Sequence, residues 1–330
     1  MELDPEIATA LETVGDRLIQ SDLDSMEGIV AMRNEVNRIG ELFNASLDRS
    51  GVVTESCVIP GPPDAPELTI RIHRPAHARG PLPCLFHVFG GGMVAGSAVR
   101  DDGILVPLVR QFNCVGTSVA YRLAPEHHAP AAATDCYFAL KWVCAHAAEL
   151  GIDPERIVLG GISGGGGVAA ATAVMARDLG GTEVCLQWLI TPMLDDRNSS
   201  ASSHGPWIGW PRKLNVGAWK AVLGERYGTD RVTGHDSAPR AKDLAGLPPA
   251  FIEVGAMEVF RDECIDYATR LLHAGVQTEL HVYAGGFHGF HLFAPNARVS
   301  KLAAEARLSA LRRAWWPAGE PASPVAPTNL

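Results

Sequence analysis

A chain of 330 residues, 47% apolar and 20% charged, carries enough hydrophobic residues for a sizeable core, with a formal charge of −9 and only scattered Lys and Arg. That balance excludes a nucleic-acid partner, which needs a clustered basic face. No uninterrupted apolar stretch reaches the ~18 residues that would span a bilayer. The seven cysteines are widely spaced and none forms a C-x-x-C, so they exclude zinc and dithiol motifs and read as buried thiols of a cytoplasmic protein. The acidic start Met1-Glu2-Leu3-Asp4-Pro5-Glu6 lacks a basic segment followed by an apolar run and does not read as a signal peptide.

In chain order, Ile7, Leu11, Val14, Leu18 and Ile19, then Val30, Val36, Ile39 and Phe43, recur at helical spacing and predict two short amphipathic helices. From Gly51 the pattern alternates. Val52 to Ile59 and Leu68 to Arg74, separated by Pro60-Gly61-Pro62-Pro63-Asp64, read as a hairpin-like antiparallel pair. Strands are then expected at Cys84 to Val88, Val115 to Ala120, Arg156 to Gly160, Cys185 to Ile190, Ala250 to Val254 and Thr278 to Tyr283. Helices are expected at Gly103 to Gln111, Ala131 to Leu150, Gly165 to Asp178, Asp262 to Ala274 and Ala297 to Trp315. This alternation defines an α/β fold class, a mostly parallel sheet with helices on both faces and an antiparallel edge. Asn198 to Asn215, rich in Ser, Gly, Pro and Trp, is too long for an ordinary connection and reads as a lid insertion ahead of a helix at Val216 to Leu223. From Pro317 onward the chain reads as a frayed tail.

The chemistry concentrates around Gly161-Ile162-Ser163-Gly164-Gly165, a G-x-S-x-G between a β-branched run and an Ala-rich helix. A serine in such a strand-to-helix turn is lifted clear of the sheet, which makes Ser163 the candidate nucleophile. It needs a base, an acid to orient the base, and donors for an oxyanion. Gly285-Gly286-Phe287-His288-Gly289 follows the last strand and offers His288 as the base, with His291 a competitor beyond the glycine turn. After the preceding strand, Glu258 sits where the orienting acid projects, and Asp262 suits the first turn of the next helix. Phe89-Gly90-Gly91-Gly92-Met93 follows an earlier strand. The amides of Gly91, Gly92 and Gly164 are the expected oxyanion donors. No nucleotide-binding G-K-[ST] or G-x-G-x-x-G with its acidic partner is present, and the lone pair Asp195-Asp196 lacks a second acidic cluster for a metal or glycosidase site.

With the glycine triplet, Tyr121-Arg122-Leu123-Ala124-Pro125-Glu126, the elbow, Pro192 to Arg197, Glu258 to Glu263 and His288-Gly289-Phe290 in place, the chain resembles the hormone-sensitive-lipase-like esterases of the α/β-hydrolase superfamily over most of residues 50 to 315. The resemblance implies an eight-stranded sheet, a helical cap, ester hydrolysis without cofactor or metal, and a homodimer. The implied organisation is N-terminal cap helices at 1–48, a catalytic α/β domain at 49–197 and 224–316, a cap insertion at 198–223 and the tail at 317–330. A small or medium acyl ester is the expected substrate, with a pocket formed by Phe89, Met93, Ile162, Trp207 and Trp210, while Trp219 packs. The chain departs from the family at Phe89, where a loop-pinning His is usual, at Ile162 and Gly164 in the elbow, and at Glu258 in place of Asp. Lactonase, amidase and acyltransferase activity would use the same triad. A non-catalytic receptor on this fold loses a triad member, whereas Ser163, Glu258 and His288 all stand here.

Overall fold

The computed structural model describes residues 1–14, 22–180 and 182–319. Leu18 and Ile19 of the first predicted helix, and residues 320–330 of the tail, lie outside the described residues. The N-terminal periodicity folds as α1 (Pro5–Val14) and α2 (Met26–Ala45), the second capped by Ser25, whose side chain accepts from the Gly28 amide. Strands β1 (Val52–Ile59) and β2 (Leu68–Pro75) pair antiparallel, as the alternation requires.

The remaining chain winds as β3 (Leu82–Val88), α3 (Asp102–Phe112), β4 (Val115–Val119), α4 (Ala131–Ala145), α5 (Ala147–Leu150), β5 (Ile152–Ile162) and α6 (Gly164–Leu179). It continues through β6 (Leu186–Ile190), α7 (Arg212–Leu223), β7 (Ala250–Met257), α8 (Arg261–His273), β8 (Thr278–Phe287), α9 (Phe290–Phe293) and α10 (Arg298–Trp315). All eight strands form one sheet in the order β1-β2-β4-β3-β5-β6-β7-β8, with β2 antiparallel to β4 and every later pairing parallel. This is the eight-stranded, mostly parallel α/β-hydrolase sheet. The wholly buried β3 and β6 are mostly apolar because helices cover both faces, and β4 is equally buried although it carries Thr117 and Ser118. Leu85, Val158, Trp188 and Phe251 pack under α3 and α10, whereas Phe86, Leu159, Leu189 and Ile252 pack under α4, α6 and α8.

Several boundaries differ from the pattern-based expectation. The helix over Ala131 to Leu150 breaks at His146, whose imidazole stacks on Trp142 and bonds its carbonyl oxygen. Strand β5 starts at Ile152 rather than Arg156, carrying Pro154 past a register irregularity opposite Leu82 to Cys84, where a ladder tolerates proline. Strands β7 and β8 run on to Met257 and Phe287, which brings Glu258 and His288 directly to two adjacent strand ends.

Above those ends lie the N-terminal helices and residues 198–223. A Cβ on Gly217 of α7 would meet Leu23 at 2.8 Å, and Lys220 pairs with Asp24 at 2.8 Å. Arg33 of α2 bridges to the turn after β4, pairing with Glu126 and donating to the carbonyls of Val94 and Ala124. Helix α1 packs Ile7 against Phe287 and Phe290, and the Asp4 amide donates to Gly285. Among the described residues, no helix is long and apolar enough to cross a membrane.

Candidate active site

Ser163 joins β5 to α6 at φ 57° and ψ −123°, a conformation L-residues rarely adopt and that costs roughly 1–3 kcal/mol. Three backbone bonds hold it there. Its amide donates to the Ile190 carbonyl at 2.9 Å, and its carbonyl accepts from Gly167 at 3.1 Å and Met193 at 2.9 Å. The flanking glycines are required by close approach. A Cβ on Gly165 would lie 2.1 Å from the Val88 oxygen, and one on Gly164 would lie 2.8 Å from the Gly92 nitrogen. Any side chain there would push the elbow off the loop that follows β3.

Ser163 is 8% exposed. Its Oγ donates to His288 Nε2 at 3.0 Å, and His288 Nδ1 donates to Glu258 Oε2 at 2.5 Å. An ionised carboxylate only accepts, so this partner fixes the tautomer that leaves Nε2 free to take a proton. Glu258 is wholly buried, and its other oxygen accepts from the Gly255 amide at 2.6 Å. The Phe260 ring packs perpendicular to the imidazole at 5.1 Å, and Trp210 lies tilted at 6.3 Å. His291, the competing base, instead faces Arg307 at 3.0 Å; burial, reinforced by that guanidinium, pushes its basicity well down.

The loop after β3 takes positive φ at Gly91 (131°), Gly92 (62°) and Met93 (63°). The amides of Gly91 and Gly92 donate to no acceptor among the described residues, whereas the Gly91 carbonyl accepts from Val94 and Ala95. Elsewhere the loop is tied down. Tyr121 donates its buried hydroxyl to the Phe89 carbonyl at 2.8 Å, and Ala124 donates to Met93 at 3.1 Å. At the root of the loop, buried His87 donates to Asp101 at 2.7 Å, and Ser118 donates to the same oxygen at 2.7 Å. That pairing links the end of β3 to the start of α3.

Two residues expected in the pocket pack elsewhere. Phe89 is 1% exposed, its ring stacked on Tyr121 at 4.1 Å and pressed on Gly96, so it belongs to the core. Ile162 is half-buried and packs into the layer under α3 and α10. Of the tryptophans, Trp210 reaches the site: a Cβ on Gly92 would meet its ring at 2.6 Å, and its indole N–H is held by Asn215. Trp207 makes local contacts, donating to the Ser202 carbonyl and covering Gly205. Trp219 is fully buried. The sequence reading missed Tyr121, Phe260 and Gly255 as contacts of the site. Tyr121 lies far from the glycine loop in sequence, and the other two act through a ring contact and an amide that leave no pattern.

The surrounding acids are structural. Asp195 pairs with Arg197, whereas Asp196 is buried against Arg240. Asp262 accepts from the Ser202 amide in the first turn of α8. Burial pushes the Glu263 carboxyl well above the usual range, partly offset by the amides of Leu194 and Asp195. Among the described residues, no group of three or more His, Cys, Asp or Glu is arranged to hold a metal ion.

A family model described as the alpha/beta hydrolase fold matches residues 85–292. The chain is 35% identical to the carboxylesterase NlhH of Mycobacterium tuberculosis over 75% of its own length and 79% of the relative's. It is 33% identical to the esterase LipI of the same species, over 94% of both chains. A solved bacterial heroin esterase superposes with a TM-score of 0.87 at 39% identity, covering 95% of this chain and 98% of the other.

Proposed function

The chain belongs to the hormone-sensitive-lipase-like esterases of the α/β-hydrolase fold and is a carboxylesterase-type serine hydrolase, and from that premise we propose that Ser163, His288 and Glu258 carry out the hydrolysis. One observation supports this above all. The Oγ of a strained serine, the imidazole and a buried carboxylate form one continuous hydrogen-bonded chain, at 3.0 and 2.5 Å. Ser163 attacks the ester carbonyl while His288 Nε2 takes its proton, and Glu258 stabilises the imidazolium. The amides of Gly91, Gly92 and Gly164 face the developing oxyanion, each such donor contributing ~3 kcal/mol at the transition state. His288 then protonates the leaving alcohol, and water repeats the sequence to release the acyl group. No cofactor enters any step.

Residues 1–48 and 198–223 act together as the cap, supported by the Leu23–Gly217 and Asp24–Lys220 contacts and by Trp210 lying over Gly92. With Trp210 filling that space, the substrates are esters of small or medium acyl groups. The name of the solved heroin esterase makes heroin, an acetyl ester of a bulky alcohol, the first substrate to assay. The seven free cysteines support a reducing, cytoplasmic setting, and the net charge of −9 speaks against nucleic acid. A homodimer is proposed from the resemblance and is read by light scattering. The decisive mutant is Ser163→Ala: hydrolysis of p-nitrophenyl acetate is expected to fall to near background, and wild-type turnover would overturn the assignment.

A further inference from the structure

We propose that Met93 sets the acyl-chain length this enzyme accepts, and that an apolar crevice behind it is the path a longer straight acyl chain takes once Met93 is trimmed. The inference rests on Ser163 being the acylated residue. Met93 follows the oxyanion glycines directly, and a Cβ on Gly164 would lie 2.7 Å from its nitrogen. Its side chain then travels along α6, because a Cβ on Gly167 would lie 2.8 Å from the Met93 terminal methyl. Gly164, Gly167, Val168 and Ala171 are spaced to share one face of that helix. The thioether therefore lies in a groove that starts beside the nucleophile and runs one turn away from it.

Beyond the methyl group the groove continues as a crevice of about 20 Å³ walled by Met93, Ala124, Ala133, Val168, Ala171 and Val222. Arg122, His127, His235 and Asp236 also line it. That volume holds roughly one water, so no hydrocarbon chain extends into it while Met93 is in place. Met93 is 5% exposed, its backbone carbonyl is held by the Ala124 amide, and its side chain ends against Gly167. Its removal joins the crevice to the space beside Ser163 along the apolar side chains of Val168, Ala171 and Val222. An acyl carbon chain already tethered at Ser163 is the occupant continuous with this groove. The length limit comes from a flexible unbranched side chain rather than from backbone, which makes it adjustable.

The test measures kcat/KM for p-nitrophenyl acetate, butyrate, hexanoate and octanoate in the wild type, Met93→Ala and Met93→Gly, each normalised to serine titrated by a fluorophosphonate. Glycine suits the positive φ of 63° at this position, so at least one variant keeps the loop. The expected result is a rise in the octanoate-to-acetate ratio of roughly tenfold or more in both variants, the effect of freeing space for added methylenes. Adding Ala171→Phe to Met93→Ala is expected to return the ratio towards wild type. An unchanged ratio in variants that still titrate would overturn the inference and leave the triad standing. A risen ratio that Ala171→Phe does not reverse would also overturn it, since loosening of the cap would then be the cause. A wild type that titrates no serine would sink both readings.

Discussion

Replacing Glu258 by Gln tests how the acid works, because the site has a polar contact on each carboxylate oxygen. One oxygen accepts from the Gly255 amide at 2.6 Å and the other from His288 Nδ1 at 2.5 Å. A glutamine has a single carbonyl oxygen for these two donors. Gly255 is buried in β7, and an unsatisfied amide there costs about 1–3 kcal/mol, so the oxygen turns to Gly255. The NH2 group then donates to Nδ1, the proton moves to Nε2, and the imidazole can only donate to Ser163 instead of accepting from it. A wrong tautomer held in otherwise intact geometry lowers kcat about ten-thousandfold, which is ~5 kcal/mol of transition-state stabilisation. Steady-state hydrolysis of p-nitrophenyl acetate across the neutral pH range measures this, with a cooperative thermal melt showing that the variant is folded. Glu258→Asp keeps two acceptor oxygens and is expected to retain far more activity. A folded Gln variant within about tenfold of wild type would refute the reasoning.

The strain at Ser163 separates two inactive variants. At φ 57° a glycine relaxes roughly 1–3 kcal/mol of strain that alanine keeps, so Ser163→Gly is expected to melt about 2 °C or more above Ser163→Ala. Tyr121→Phe removes the hydroxyl that ties Phe89 but keeps the ring stack. Its kcat is expected to fall about fivefold with KM nearly unchanged, matching one hydrogen bond of ~1 kcal/mol. Burial pushes the thiols of Cys144 and Cys185 up to about 11 and about 12, because the thiolate would lose its hydration. Both therefore stay protonated and resist iodoacetamide at pH values near that of a free thiol, about 8.5. Mass spectrometry is expected to show them alkylated at that pH only after unfolding in urea.

Much of the sheet was readable because its signals are local. Continuous apolar runs such as Leu85-Phe86 and Leu189-Ile190 mark strands buried on both faces, and the alternation in Val52 to Ile59 marks a half-exposed edge. The candidate site was readable because its members stand at strand ends beside glycines. What escaped the sequence depends on side-chain direction. Nothing in the run of Phe89 says that its ring stacks on Tyr121 thirty-two residues away, yet its neighbour Met93 turns along α6. Trp207 and Trp210 look equivalent in sequence. They part only because Asn215, itself held by Asn198, fixes the indole of Trp210 over Gly92. The partner of Asp196 was likewise hidden, since Arg240 lies far along the chain while Arg197 is adjacent.

The measurement closest to the central claim is covalent labelling with a fluorophosphonate, followed by intact-mass and peptide mapping. The account predicts one adduct per chain, on Ser163, lost in Ser163→Ala and greatly slowed in Glu258→Gln. An adduct mapped to another residue, or ester hydrolysis that persists with Ser163 unlabelled, would contradict it.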